Sequence, residues 1–239
     1  MVPLMDQAGR VVGITARQLD DDPHAPKYIN TPASPVYDKS RHVFGLHLAK
    51  EAIRKQNFSV VAEGNLDVIA SHQAGVTNVV ATAGTAVTEY HLKALGRFSP
   101  DVRLAFDQDR AGLAAAERAI PIAGKVDIHL SIVAVPAGKD PDELIKKDAA
   151  AWRQVVKQPQ DPIVWLTNHY RAQLDLTTAA GKRQLSDRIL KVVQTVKDAV
   201  EREHYLAELG RELGVSQDAL LAKLRTTQPK VRYRPVKSA

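Results

Sequence analysis

Hydrophobic positions along the chain fall into two regimes. Between Phe58 and Pro136, short apolar runs alternate with segments of three-to-four spacing. FSVVA is followed by LDVIASHQAG, closed by Gly75, and VTNVVATAG by TEYHLKALGRF, with Thr88 as an N-cap. VRLAFD is followed by the alanine-rich AGLAAAERAI, and VDIHLSIVAVP completes the series. Runs of this length read as buried strands and the stretches between them as helices. Strands that alternate with helices predict a mainly parallel sheet covered on both faces, an α/β fold. From about Asp148 the pattern changes to helix after helix: PIVWLTNHYRAQL, GKRQLSDRILKVVQTV, DAVEREHYLAELGREL and SQDALLAKLRT. That predicts a separate helical subdomain, with Gly214 and Ser216 at its last junction.

The front of the chain is less regular. VVGITARQL alternates as a strand does, and QAG before it suits a hairpin turn. DDDPHAPKYINTPASPVYDKS holds four prolines and reads as an extended connection, with Asp20 to Asp22 in a solvated turn. Val43, Leu46, Leu48, Ala49 and Ile53 then trace a helical stripe.

Composition narrows the chemistry. The 239 residues are 44% hydrophobic and 25% charged, a globular balance with enough apolar material for a core. There is no cysteine, which excludes disulfides and thiolate zinc sites. No signal sequence or membrane span is visible, so a cytoplasmic protein is expected. The net charge of +6 is concentrated in the tail, where Arg225, Lys230, Arg232, Arg234 and Lys237 stand without acids. That tail, also bearing Pro229 and Pro235, reads as disordered.

Chemistry in an open parallel sheet collects at the carboxyl ends of its strands. Glu63 and Asp67 follow the first strand of the alternating region, Asp107 and Asp109 the third, and Asp140 and Asp142 the fourth. In extended chain, members of the last two pairs point the same way. Acids gathered so closely repel unless a cation compensates, and oxygen-only ligands favour Mg²⁺ or Mn²⁺. Mg²⁺ bound by a few carboxylates completes its shell with water and substrate phosphates, which points to phosphate chemistry. Gly64, Gly84 and Gly112 sit at strand-to-helix junctions where a ligand approaches backbone closely. Ala83 to Thr88, including Thr85, offers hydroxyl and N–H groups near a helix start, suited to an anion. His72 and His91 read as surface or core histidines, and Trp152 and Trp165 as core or interface anchors.

The segments VVAEGNLDVIA, VATAGTAVTEYHLKAL, LAFDQDRAGLAAAERA and PAGKDPDELI resemble the Toprim module shared by topoisomerases, primases and some nucleases. PKYINTPASPVYDKSRHVFGLHLAKEAI resembles a connection specific to bacterial DNA primases of the DnaG type. The resemblance divides the chain into a partial N-terminal basic subdomain (1–56), a Toprim catalytic domain (57–147), a C-terminal helical subdomain (148–227) and a basic tail (228–239). It implies that Glu63, Asp107 and Asp109 are catalytic, and that with Asp140 and Asp142 they hold metal. Asp67, Gly64, Gly84, Thr85 and Gly112 would support the site. Arg17, Lys27, Tyr28, Asn30, Lys39 and Arg41 would contact template and incoming nucleotide. The activity implied is synthesis of short RNA primers from ribonucleoside triphosphates on single-stranded DNA, in the bacterial replisome. A Toprim nuclease and a noncatalytic single-strand-binding remnant are the alternatives.

Asn65 stands where many family members carry tyrosine, Gln108 where glycine is usual, and Ser40 where glycine is common in the basic loop. The resemblance also implies missing parts: the zinc ribbon, the first portion of the basic subdomain, and the helicase-binding domain. Replicative helicase is therefore not expected as a partner of this chain, and no membrane is.

Overall fold

The computed structural model describes residues 1–18, 24, 26, 28–82, 84–106, 109–135 and 140–227. The expected turn at Asp20 to Asp22 and the basic tail after Thr227 lie outside the described residues. The chain divides into two compact units, Met1–Trp165 and Leu166–Ala239.

The first unit opens with a three-stranded antiparallel sheet of β1 (Val2–Met5), β2 (Val11–Arg17) and β3 (Tyr28–Asn30), in that order. Asp6 Oδ1 accepts from the N–H groups of Ala8 and Arg10 and closes the β1–β2 turn. Gly9 completes the turn at φ +83°, a conformation that costs glycine nothing. α1 (Leu46–Gln56) buries Leu46, Ala49 and Ile53, whereas Leu48, counted in the same stripe from the sequence, is 64% exposed. Two residues beyond Leu46 is about 200° around the helix, so Leu48 faces away from the core.

Alternation then proceeds through β4 (Ser59–Ala62), α2 (Asn65–Gln73), β5 (Val79–Ala81), α3 (Glu89–Gly96), β6 (Asp101–Ala105), α4 (Arg110–Lys125) and β7 (His129–Ile132). The four strands form one parallel sheet in the order β5-β4-β6-β7, as the sequence pattern predicts. β4 and β5 are buried at every position, consistent with a sheet covered on both faces. One residue pairs against each outer strand in the antiparallel sense. Phe44 exchanges both backbone hydrogen bonds with Ala81 (2.8 and 3.1 Å), and Gln160 does so with Ile132 (2.8 and 2.9 Å).

Two short helices, α5 (Pro141–Lys147) and α6 (Ala149–Val155), precede α7 (Pro162–Arg171). α5 overturns the extended geometry expected for the last acid pair. Asp140 is its N-cap, Pro141 occupies the first turn, and Asp142 is already helical. α6 packs with the parallel sheet through Trp152, which is fully buried in one cluster with Phe58, Val60 and Leu144. Arg103 donates to the Val156 carbonyl (2.8 Å), and its guanidinium lies 3.6 Å above the Phe58 ring.

The second unit contains α8 (Ala179–Val193), α9 (Ala199–Leu213) and α10 (Gln217–Thr227), with buried Leu185, Ile189, Leu206, Leu209 and Leu220. Thr178 and Asp198 cap α8 and α9, and Gly214 ends α9 at φ +60°. Among the described residues no helix is long and apolar enough to cross a membrane.

Candidate active site

Of the helices that follow parallel strands, α4 and α5 are capped by acids and α2 carries one in its first turn. At the end of β4, Glu63 and Gly64 lead into α2, and Asp67 reaches back so that its Oδ2 accepts from Gly64 N–H (3.0 Å). A Cβ on Gly64 would lie 2.9 Å from that oxygen, so a larger residue would push the Asp67 carboxylate aside. Asp67 Oδ1 accepts from Asp142 N–H (3.3 Å), tying the start of α2 to the start of α5. Asp67 is buried, and Glu63 and Asp142 are half-buried. Asp109 caps α4, its Oδ1 accepting from Ala111 and Gly112 N–H (both 2.8 Å). Asp140 caps α5, its Oδ1 accepting from Glu143 N–H (2.7 Å). Asp67, Asp109 and Asp140 are each held by backbone N–H groups at the positive end of a helix, which complements a carboxylate.

Lys146 Nζ sits 2.6 Å from Asp142 Oδ2. The hydrogen bond to Asp142 raises the Lys146 amine above the ordinary lysine range, while the nearby charge of Arg17 opposes that rise. Arg17 is exposed and pairs with Tyr28 in the β2–β3 ladder, and Asn30 pairs with Thr15.

Beyond β5, Thr82 and Thr85 donate their hydroxyl protons to each other's carbonyls (2.7 and 3.0 Å), with Gly84 at φ +77°. The Thr85 proton is thus committed within the loop. Lys39 and Arg41 belong to a separate loop secured to the start of α3. Asp107 and Lys27, expected at the site, lie outside the described residues.

Among the described residues, no three His, Asp or Glu side chains are grouped so as to hold a metal ion. The acids near the rim offer carboxylate oxygens, a chemistry that suits a hard divalent cation. The absence of cysteine leaves no thiolate for zinc.

Residues 1–50 match the DNA primase catalytic core, N-terminal domain, and residues 60–145 match a Toprim-like model. The solved structure of the DnaG catalytic core is 33% identical, with 91% of this chain aligned to 71% of that one at a TM-score of 0.74. The chain belongs to the DnaG-type DNA primase family. A primase domain from Pseudomonas aeruginosa is 31% identical over 93% of this chain and 70% of its own, with a TM-score of 0.78. The RNA polymerase domain of Mycobacterium tuberculosis primase is 36% identical over 87% and 68%, with a TM-score of 0.77. DNA primases of Halalkalibacterium halodurans and Escherichia coli K12 are each 34% identical, and the chain spans 36% and 39% of their lengths. The Toprim-like match implies divalent-metal chemistry.

One expectation fails. Residues 163–218 match the DnaB-helicase binding domain of primase, so that region is present in this primase-family chain. Amphipathic periodicity is the same whether helices close a core or dock a partner, and the sequence pattern could not separate the two.

Sequence reasoning also missed α5, Lys146 and the attachment of the basic loop. Asp140-Pro141 is an N-cap followed by the residue favoured at the first helical position, and Asp142–Lys146 is an i,i+4 charge pair. Both signals stand in the sequence.

Proposed function

We propose that this chain performs template-directed synthesis of short RNA primers on single-stranded DNA, by metal-dependent nucleotidyl transfer. The observation that carries the reading is Asp67, whose two hydrogen bonds to the starts of α2 and α5 bring Glu63 and Asp142 to one rim. Glu63, Asp107, Asp109, Asp140 and Asp142 would hold Mg²⁺ or Mn²⁺ there. Such an ion supplies positive charge to the triphosphate and lowers the pKa of the attacking 3′-hydroxyl.

The chain's own groups supply position. Asp67 holds the acid-bearing turns in register, and Gly64 permits its approach. Lys146 sets a positive charge beside Asp142. Gly84, Thr85 and Gly112 shape the turns beside the rim. Arg17, Lys27, Tyr28, Asn30, Lys39 and Arg41 bind the phosphates of template and incoming nucleotide, a contact that weakens with salt. Residues 163–218 would contact a replicative helicase, and the protein would act at the replication fork in the cytoplasm. The functional divisions are 1–56, 57–147, 148–227 and 228–239.

The test is incubation with Mg²⁺ or Mn²⁺, ribonucleoside triphosphates and single-stranded DNA. Short RNA is expected from the parental protein, and Asp109→Asn is expected to lower it about 100-fold, the order of one preorganised electrostatic group. Equal synthesis by that variant overturns the assignment. Metal-dependent cleavage without ribonucleotides would indicate a nuclease instead. Single-strand binding without synthesis, indifferent to Asp109→Asn, would indicate a noncatalytic remnant.

A further inference from the structure

The first turn of α3 grips the loop that carries Lys39 and Arg41. Thr88 Oγ1 donates to the Ser40 carbonyl (2.7 Å), a contact between residues 48 apart in sequence. His91 Nδ1 accepts from Thr88 N–H (3.2 Å), so the ring proton resides on Nε2, which donates to the Lys39 carbonyl (3.2 Å). His91 is 1% exposed, and burial lowers its pKa, keeping the neutral tautomer that this arrangement needs. Thr88 Oγ1 also accepts from His91 N–H (3.3 Å), so cap and loop contacts share the same two side chains. The Arg41 guanidinium lies 4.6 Å from the centroid of the Tyr90 ring. Inside the loop, Asp38 Oδ1 accepts from Ser40 N–H and Oγ (2.8 and 2.7 Å), which fixes its turn.

We infer that Thr88, Tyr90 and His91 are positioning residues for nucleic-acid binding: they hold Lys39 and Arg41 in place before a phosphate backbone arrives. This rests on the proposed role of those two basic residues. The hydrogen bonds seize the carbonyls of Lys39 and Ser40, leaving the basic groups uncommitted to them. Lys39 is half-buried and Arg41 exposed. A loop ordered in advance loses less conformational freedom on binding, so its cations contribute more affinity. The stretch from Thr88 to His91 is thereby more than a helix start: the same turn caps α3 and anchors a loop from another part of the chain.

The experiment measures binding of the full chain to a fluorescent single-stranded DNA of about 20 nucleotides, long enough to exceed single-strand site sizes of about 4–16, over a salt series. Tyr90→Ala and His91→Phe are expected to weaken binding about 3- to 10-fold and to flatten the log–log salt slope by about 0.7 for each phosphate no longer neutralised. Tyr90→Phe, which keeps the ring, and Thr88→Ser, which keeps the hydroxyl, should retain parental values. A merely structural role would lower the melting temperature without changing the salt slope of the folded protein. Should His91→Phe fail to fold, the Tyr90→Ala and Tyr90→Phe pair decides, since Tyr90 is 57% exposed. Parental affinity and slope in Tyr90→Ala, where Lys39→Ala and Arg41→Ala do weaken binding, would overturn the inference alone. Unchanged binding in Lys39→Ala and Arg41→Ala would overturn it together with the assigned role of the loop. Primer synthesis by the parental protein, scored separately, tests the catalytic reading.

Discussion

Asp109 and Asp140 at the acidic rim and the basic loop are held by opposite means. At the rim, Asp109 and Asp140 are fixed by N–H groups two or three residues away, so each helix start orders its own carboxylate. Asp67 joins two elements there, accepting from one backbone N–H in each turn. The loop at Lys39 and Arg41 depends on partners about fifty residues distant in sequence, one of them a buried histidine. Local anchoring survives small shifts of the surrounding fold. Long-range anchoring makes the loop sensitive to packing and to pH.

The largest test of that contrast is Asp67→Ala. Removing a buried acceptor of two backbone N–H groups should destabilise the protein by about 3 kcal/mol in urea unfolding, and primer synthesis should fall even where the protein remains folded. A change under about 0.5 kcal/mol, the usual effect of a surface substitution, would show that the bridge is dispensable.

Acidification should strike the loop side next. Burial lowers the His42 pKa to about 4, with the charges of His91 and His47 adding to the effect and Asp6 opposing it. The unfolded chain, with an ordinary histidine value, binds the proton first. The stability that depends on neutral His42 is therefore complete above about pH 6.5 and is lost as pH falls from there toward 4. The loss is about 2–3 kcal/mol, read by denaturant unfolding across that window. A His42→Phe variant should flatten the curve there.

Smaller effects separate the cap from the charge at the rim. Asp140→Ala should cost about 1 kcal/mol of thermal stability, and Asp140→Asn only tenths, because asparagine also caps a helix. Both should reduce metal-dependent synthesis, so an Asn variant with full activity would remove Asp140 from the site. Smallest of all is Leu48→Ala: at 64% exposure it should change stability by no more than about 0.5 kcal/mol. Ile53→Ala in the same helix, fully buried, should cost about 2–5 kcal/mol.

The parallel sheet was legible because its strands are short apolar runs and its helices carry clear boundaries, such as Gly75 at φ +84° after α2 and Thr88 as the N-cap of α3. Acids after strand ends were legible one by one: Asp67, Asp109 and Asp140 each stand at a helix start. What escaped was conformation after β7. A pair two residues apart points one way in a strand, but Asp140 and Asp142 straddle a helix start. His91 read as an ordinary histidine because its partners, Thr88 apart, lie far off in sequence. The helicase-binding match could not be read from helical periodicity, which reports a buried stripe but not what a helix serves.

The one-residue pairings at Phe44 and Gln160 bear on how this protein behaves in a crowd. A parallel sheet ordinarily ends in outer strands whose unpaired amides can recruit a strand from another molecule. Here the Ala81 and Ile132 backbone groups are already engaged by the protein's own loops. Loosening either loop should bring self-association at high concentration before it brings unfolding.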